Sequence, residues 1–267
     1  MKTVKTLEKS GYTGKWYIIC DNEDKTIDTY YKNFGKERII VFDKLEAARI
    51  TDSMDNIDKR NTIVYARNMC HKIAKDLGLT YFWELEDDYE IFRSRIFNGE
   101  YLASIIAKDL NSLIDEMLEF LDLSGALSIA FCQTGDFIGG TGSKIYKDRI
   151  TRKAMNTLFC RTDRPFKFLG RMNDDVNAYT LLGSQGKLFF TIADISLEQT
   201  TTQVNSGGNT DMYKEFGTYV KSFYSVMCSP SSVKIAEMGC NDRRIHHLVN
   251  WEVAVPKIIS DRFRVKE

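Results

Sequence analysis

Short apolar runs alternate with helix-like stretches through the first third of the chain, and that alternation limits the fold more than any other feature. Lys15–Cys20 (KWYIIC) and Arg38–Phe42 (RIIVF) read as strands, the second a continuous apolar run of the kind a strand buried on both faces carries. Ala66–Leu77 puts Met69, Ile73, Ala74 and Leu77 on one helical face and stops at Gly78. Thr80–Leu85 follows as an aromatic and apolar strand. Strand, helix, strand at this spacing predicts a parallel βαβ unit, and so an α/β first half.

Further along, Leu102, Ile105, Ile106, Leu113, Met117, Leu118 and Leu121 predict one long helix over Glu100–Leu121. Ala126–Phe131 and Lys187–Ile192 read as strands, Asp174–Leu182 as a short helix, and Met212–Met227 as a helix open to a break at Gly217. Gly139-Gly140-Thr141-Gly142 is a glycine loop, and the polar stretch Gln199–Thr210 is expected to be a mobile loop. With no repeat and no linker, one domain over 1–267 is expected.

Hydrophobic residues make up 43% of the 267 and aromatics 12%, too much apolar surface for a disordered chain to keep solvated. No apolar run approaches the length of a membrane span, and the first twenty residues lack the apolar core of a signal peptide, so a cytoplasmic location without membrane contact is expected. The six cysteines include no CxxC pair, which fits reduced, mostly buried thiols. Lys plus Arg equals Asp plus Glu at 37 each, arguing against a surface that clings to nucleic acid throughout.

Distribution says more than the total. Glu84, Glu86, Asp87, Asp88 and Glu90 crowd the end of the third strand without an intervening cation. Successive carboxylates repel one another and resist ionisation unless a cation neutralises them. In open α/β sheets ligands bind beyond the carboxyl ends of strands. Oxygen donors of this kind suit Mg²⁺ or Mn²⁺ with substrate phosphates completing the shell; the plainer alternative is a solvated acidic turn. Residues 144–171 instead hold nine Lys and Arg against Asp148 and Asp163, interleaved with Tyr146, Phe159, Phe166 and Phe168. Such a stretch suits a polyanion such as DNA, although the aromatics equally fit a core at strand spacing.

The segments WYIICDNED (16–24), ARNMCHKIAKDLG (66–78), YFWELEDDY (81–89), GRMNDDVNAYTLLGSQG (170–186) and GTYVKSFYSVM (217–227) together resemble the GT-A glycosyltransferases. Within them, the chain is similar to the phage TET-associated glycosyltransferases, related in role to enzymes that add sugars to 5-hydroxymethylpyrimidines in DNA. The resemblance implies a single Rossmann-like GT-A domain, an α/β fold with a mostly parallel central sheet flanked by helices, with a nucleotide-sugar half over about 12–95 and an acceptor half over about 96–267. It also implies that Glu86-Asp87-Asp88 is a DxD-type motif whose first position is glutamate, with Asp88 and Glu86 on a divalent cation and a C-terminal histidine, His247 rather than the adjacent His246, beside them. Adjacent strand residues point oppositely, so one of the two histidines is expected to take part. Asn173-Asp174-Asp175 matches the family's acidic position near the acceptor, which makes Asp175 and Asp174 the candidate catalytic carboxylates; N-capping is the plainer role for Asp174. Arg67, Asp21, Asp52 and Asp87 are the candidate donor-binding residues, Arg67 for a phosphate or nucleobase edge at a helix start. Turn formation is the plainer role for the aspartates.

The activity implied is metal-dependent transfer of a sugar, glucose first, from a UDP-sugar to 5-hydroxymethylpyrimidine bases in phage DNA. A second reading keeps the fold and takes an already glycosylated base or a glycan as acceptor. A third, a catalytically idle nucleic-acid binder, fits the intact acidic cluster poorly.

Overall fold

A computed structural model describes residues 1–199, 209–217, 219–238 and 244–255. The elements in order are α1 (Lys2–Lys9), β1 (Ile18–Asp21), α2 (Ile27–Phe34), β2 (Ile39–Phe42), α3 (Lys44–Ile50) and α4 (Val64–Asp76). There follow β3 (Tyr81–Glu84), β4 (Tyr89–Phe97), β5 (Leu102–Ile106), α5 (Leu110–Ser124), β6 (Ser128–Gln133), α6 (Lys144–Asp148), β7 (Ile150–Thr151) and β8 (Leu158–Arg161). The remainder is α7 (Asp174–Ser184), β9 (Phe189–Gln199), α8 (Thr210–Phe216), α9 (Val220–Cys228), β10 (Val233–Met238), β11 (Arg244–Val249) and α10 (Trp251–Ala254).

The fold is α/β, with a central mixed sheet between helices. Six of its strands run in the order β3-β8-β6-β9-β4-β5, and β7 pairs with β9 as the seventh. Alternation along β6 and β8 shows how the sheet divides the core. Ala130, Leu158 and Cys160 face α4 and α7, packing with Met69, Val176 and Tyr179. Ile129, Phe131 and Phe159 face α5, packing with Leu110, Met117 and Leu121. Side chains that alternate at period two and are buried on both faces need a helix layer on each side.

The pairing is more varied than strand–helix alternation predicts. β1 and β2 are parallel and joined through α2, so a βαβ unit exists, but they form their own two-stranded sheet. In the central sheet β6–β9 is the parallel pair, and β3, after α4, runs antiparallel to β8. Glu100–Leu121 is not one helix. Leu102–Ile106 pairs with β4 as a hairpin, and the helix starts only where the Asp109 carboxylate accepts from the Ser112 N–H at 3.2 Å. The apolar residues at 102, 105 and 106 fit a helical face as well as a strand, which is why their spacing misleads. The break at Gly217 is real and separates α8 from α9. Most of the 199–210 stretch lies outside the described residues. Among the described residues no helix is long and apolar enough to cross a membrane.

Candidate active site

α4 delivers Arg67, β3 leads into Glu86, and the start of α7 supplies Asp174 and Asp175. Arg67 donates through Nη1 to Asp174 Oδ2 at 2.8 Å and through Nη2 to Glu86 Oε1 at 2.7 Å. Its guanidinium is buried over the face of Phe168, 5.5 Å from the ring centroid. A planar fork presents two separate donors, so one residue joins the strand end to the helix start; an ammonium would not.

The turn that presents Asp174 and Asp175 is tightly held. Asn173, in the left-handed region at φ 53°, is the N-cap of α7, so Asp174 is not the cap but an ion-pair partner. Asn177 donates to the carbonyls of Leu169 and Met172, and Gly170, at φ 84°, leaves room for it: a Cβ there would lie 2.6 Å from Asn177 Nδ2. The Asp175 carboxylate accepts from the Val176 N–H at 2.7 Å, and its other surroundings include Lys221.

Five carboxylates, those of Glu84, Glu86, Asp88, Asp174 and Asp175, surround Arg67 or one another closely enough to interact. Burial pushes Glu86 up to about 7 against the pull of Arg67, and Asp88, Asp175 and Asp174 push it the same way. Glu84, buried deeper along β3 beside the Cys70 thiol, rises to about 8, again chiefly by burial. Asp175 is raised by burial and by Asp174. Asp88 is raised by burial and by Asp87.

The acidic loop is clamped by α1, which nothing in the sequence marked as part of the site. The N–H groups of Lys2 and Thr3 donate to the Asp87 carbonyl at 3.1 and 3.2 Å, and the Thr3 hydroxyl donates to the Glu86 carbonyl. The Tyr89 N–H returns a bond to that hydroxyl at 3.0 Å. The donors left free at a helix start thus fix the loop's backbone while its carboxylates point elsewhere.

His247, on β11, faces the same turn: Asn173 Nδ2 approaches its Nδ1 at 3.1 Å. Burial, then His246 and Lys221, lower its pKa to about 4, so the ring is neutral near pH 7. The rings of His246 and His247 are 4.1 Å apart and tilted by 32°, not splayed to opposite faces as adjacent strand residues were expected to be. Tyr213 of α8 also belongs here. Burial raises its phenol to about 12, helped by Asp175, Asp174 and Glu86, and Lys221 lies 5.9 Å from its ring centroid. Neither Tyr213 nor Lys221 carried a sequence signal.

The other candidates lie in turns. Asp21 bonds the Glu23 N–H at 3.0 Å and pairs with Lys44 at 3.1 Å. Asp52 accepts from the Met54 N–H at 2.8 Å, as a turn-forming aspartate does. Its neighbour Asp55 pairs with the buried Arg171, which also bonds the carbonyls of Ile57 and Lys59, and this ties the 52–61 loop to the start of α7.

The basic stretch is largely consumed inside the protein. Arg149 pairs with Asp194, Lys153 with Asp136 at 2.7 Å, and Arg161 with Asp122 and Asp163. Arg164 bonds the carbonyls of Leu121 and Ala126, and Lys167 that of Ile50. Phe159, Phe166 and Phe168 are core residues. A broad basic face over 144–171 is therefore not what the fold presents.

Among the described residues no three His, Cys, Asp or Glu side chains converge as a ready metal cage, so Asp88, Glu86 and His247 do not form the expected three-ligand set as they stand. The charge nonetheless suits a divalent cation. Several carboxylates held up by burial and mutual repulsion share one guanidinium, and Mg²⁺ bound through substrate phosphates needs only one or two of them.

A buried carboxylate cluster around one guanidinium, beyond a strand end in an α/β fold, is the setting of a candidate ligand-binding and catalytic site. The model of the TET-Associated Glycosyltransferase family matches residues 1–208, and the chain belongs to that family. It is therefore a glycosyltransferase, consistent with dependence on a nucleotide sugar. No curated protein and no solved structure matches it.

Proposed function

We propose that the protein transfers a hexose, glucose, from a UDP-sugar to the hydroxymethyl oxygen of a 5-hydroxymethylpyrimidine base in DNA, acting in the cytoplasm of the cell where that DNA is replicated. The observation that carries this reading is the buried Asp175 carboxylate, raised in pKa and set beside the Arg67-locked Asp174 in a glycosyltransferase. A carboxylate raised toward neutrality is a better proton acceptor for an alcohol than one at its ordinary value.

In the reaction the acceptor oxygen bonds to the anomeric carbon, the bond from that carbon to the diphosphate oxygen breaks, and UDP leaves with the electron pair. Asp175 takes the hydroxyl proton. Asp174 positions Arg67, and Arg67 orders Glu86 and the acidic loop on the donor side. A divalent cation, Mg²⁺ or Mn²⁺, held through Glu86 and Asp88, would neutralise charge on the departing diphosphate. His247 keeps the Asn173 turn, and with it Asp175, in place. On this reading, one domain spans the chain, with donor contacts in residues of about 12–95, Asp21 and Asp52 among them, and acceptor contacts in the rest.

The reading is tested by incubating a 5-hydroxymethylcytosine oligonucleotide with UDP-glucose and weighing the digested nucleosides. A hexose gained with the wild type and lost with Asp175→Asn supports it. A wild type that instead glycosylates only sugar-bearing bases or free glycans overturns the acceptor.

A further inference from the structure

Helix α9 is packed inside out. Its Ser222 and Ser225 are fully buried, whereas Tyr219 at its N-cap, Phe223 and Met227 are 48%, 44% and 55% exposed. At i, i+4 and i+8 these three line one face of the helix, where a solvated face ordinarily carries polar residues. The inner face is taken up by the candidate site. Asn173 donates to the Lys221 carbonyl at 3.0 Å and to Ser225 Oγ at 3.1 Å, and the buried Tyr224 bonds Asp55. Lys221, the one charged residue of α9, lies on that side too, 5.9 Å from the Tyr213 ring centroid and close enough to act on Asp175 and His247. The outer rings are held in place despite their exposure. Gly217, at φ 83°, lacks a Cβ that would lie 2.5 Å from the Tyr219 ring, and Phe223 meets that ring edge-on, with centroids 6.2 Å apart and planes 78° apart. Rings fixed in advance lose little freedom when they are covered.

We infer that this stripe is the interface of a homodimer, in which α9 of a second copy packs antiparallel across a two-fold axis at Phe223. The inference stands apart from the acceptor proposed above. A two-fold contact presents one patch to itself, so the patch has to be its own complement. The stripe meets that condition, being symmetric about its centre. With Phe223 on the axis, it faces its own copy, and Tyr219 faces Met227 of the partner subunit; aromatic pairs and thioether–ring contacts are both favourable. The stripe is also uncharged, and the chain as a whole has a net charge of zero, so no like charges oppose the approach of a second copy. The same lack of cations along the stripe argues against a phosphate backbone as its occupant. The area is sufficient. At these exposures the three side chains leave about 300 Å² of apolar surface open on each copy, about 600 Å² for the pair. Apolar atoms make up roughly 60% of a protein interface, which brings the contact to the ~1,000 Å² in total that a specific one needs. That lies at the small end of the range, so the dimer is a reversible one.

The test is sedimentation equilibrium of the full chain from about 1 to 100 µM. The wild type is expected to rise from the 30.7 kDa of one chain toward twice that mass as concentration increases. Phe223→Lys sets two ammonium groups face to face on the axis and is expected to weaken association at least about tenfold, with Tm unchanged because the position is exposed. Phe223→Cys, on the axis, is expected to cross-link to a disulfide dimer under mild oxidation, whereas Leu123→Cys, exposed elsewhere on the surface, is not. Ile105→Lys, on the edge strand β5 of the central sheet, is expected to leave the dimer intact. A wild type that stays monomeric across the concentration range overturns the inference. So does a dimer that survives Phe223→Lys, dissolves with Ile105→Lys, or fails to cross-link through Phe223→Cys.

Discussion

Arg67 decides the electrostatics of the site. Its two bonds to Glu86 and Asp174 are buried, so removing it strands two carboxylates in a low-dielectric setting. Arg67→Ala should destabilise the protein by about 3–5 kcal/mol in urea unfolding. Arg67→Lys should keep part of the stability but lose the bridge and most of the activity, because an ammonium does not reproduce the fork. Glu84 gives a test with the opposite sign. A carboxyl whose pKa rises from its ordinary 4.5 to about 8 on folding holds its proton more tightly in the native state. Stability is thus full at low pH and declines as pH climbs through about 8. Wild-type Tm should fall between pH 6 and pH 9, and Glu84→Gln should flatten that fall by a few degrees. An equally steep fall in the variant would place the titrating group elsewhere.

At the scale of elements, α1 holds the acidic loop from behind. Thr3 is buried and exchanges hydrogen bonds with the Glu86 carbonyl and the Tyr89 N–H, so Thr3→Val should cost about 1–2 kcal/mol and lower turnover more than it lowers donor affinity. Comparing kcat and KM for the donor checks this; an unchanged kcat would reduce α1 to packing. The elements that carry the site were the legible ones. The start and stop of α4, the strand into Glu86 and the start of α7 were each marked by a local pattern that the tertiary structure kept. β4, β5 and α2 were not legible. β4 mixes Glu90, Arg93 and Arg95 with apolar residues, and Arg93 finds its partner Glu198 across the sheet, a pairing that no local window contains. Tyr213, Lys221 and the α1 clamp were hidden for the same reason, since each reaches the site through contacts long in sequence.

Across the whole molecule, the charge map read from the sequence had the right poles but the wrong surfaces. The acidic residues gather around Arg67 as the candidate site, whereas most cations of residues 144–171 bond to Asp122, Asp136, Asp163, Asp194 and helix-end carbonyls. Sequence counts charges without their partners, so the internal role of Arg161, Arg164 and Arg171 could not be separated from a nucleic-acid face. Were the acceptor DNA, as proposed, its binding would show a modest salt dependence.

The central claim is that the Arg67–Asp174–Asp175 cluster transfers sugar to a modified base. Its most direct test is transfer of radiolabel from UDP-glucose to DNA containing 5-hydroxymethylcytosine, with Mn²⁺ and with EDTA, for the wild type and Asp175→Asn side by side. The account predicts label in the DNA only for the wild type with metal. Equal labelling by Asp175→Asn would contradict the assignment of the site, and no label with UDP also unreleased would contradict the donor.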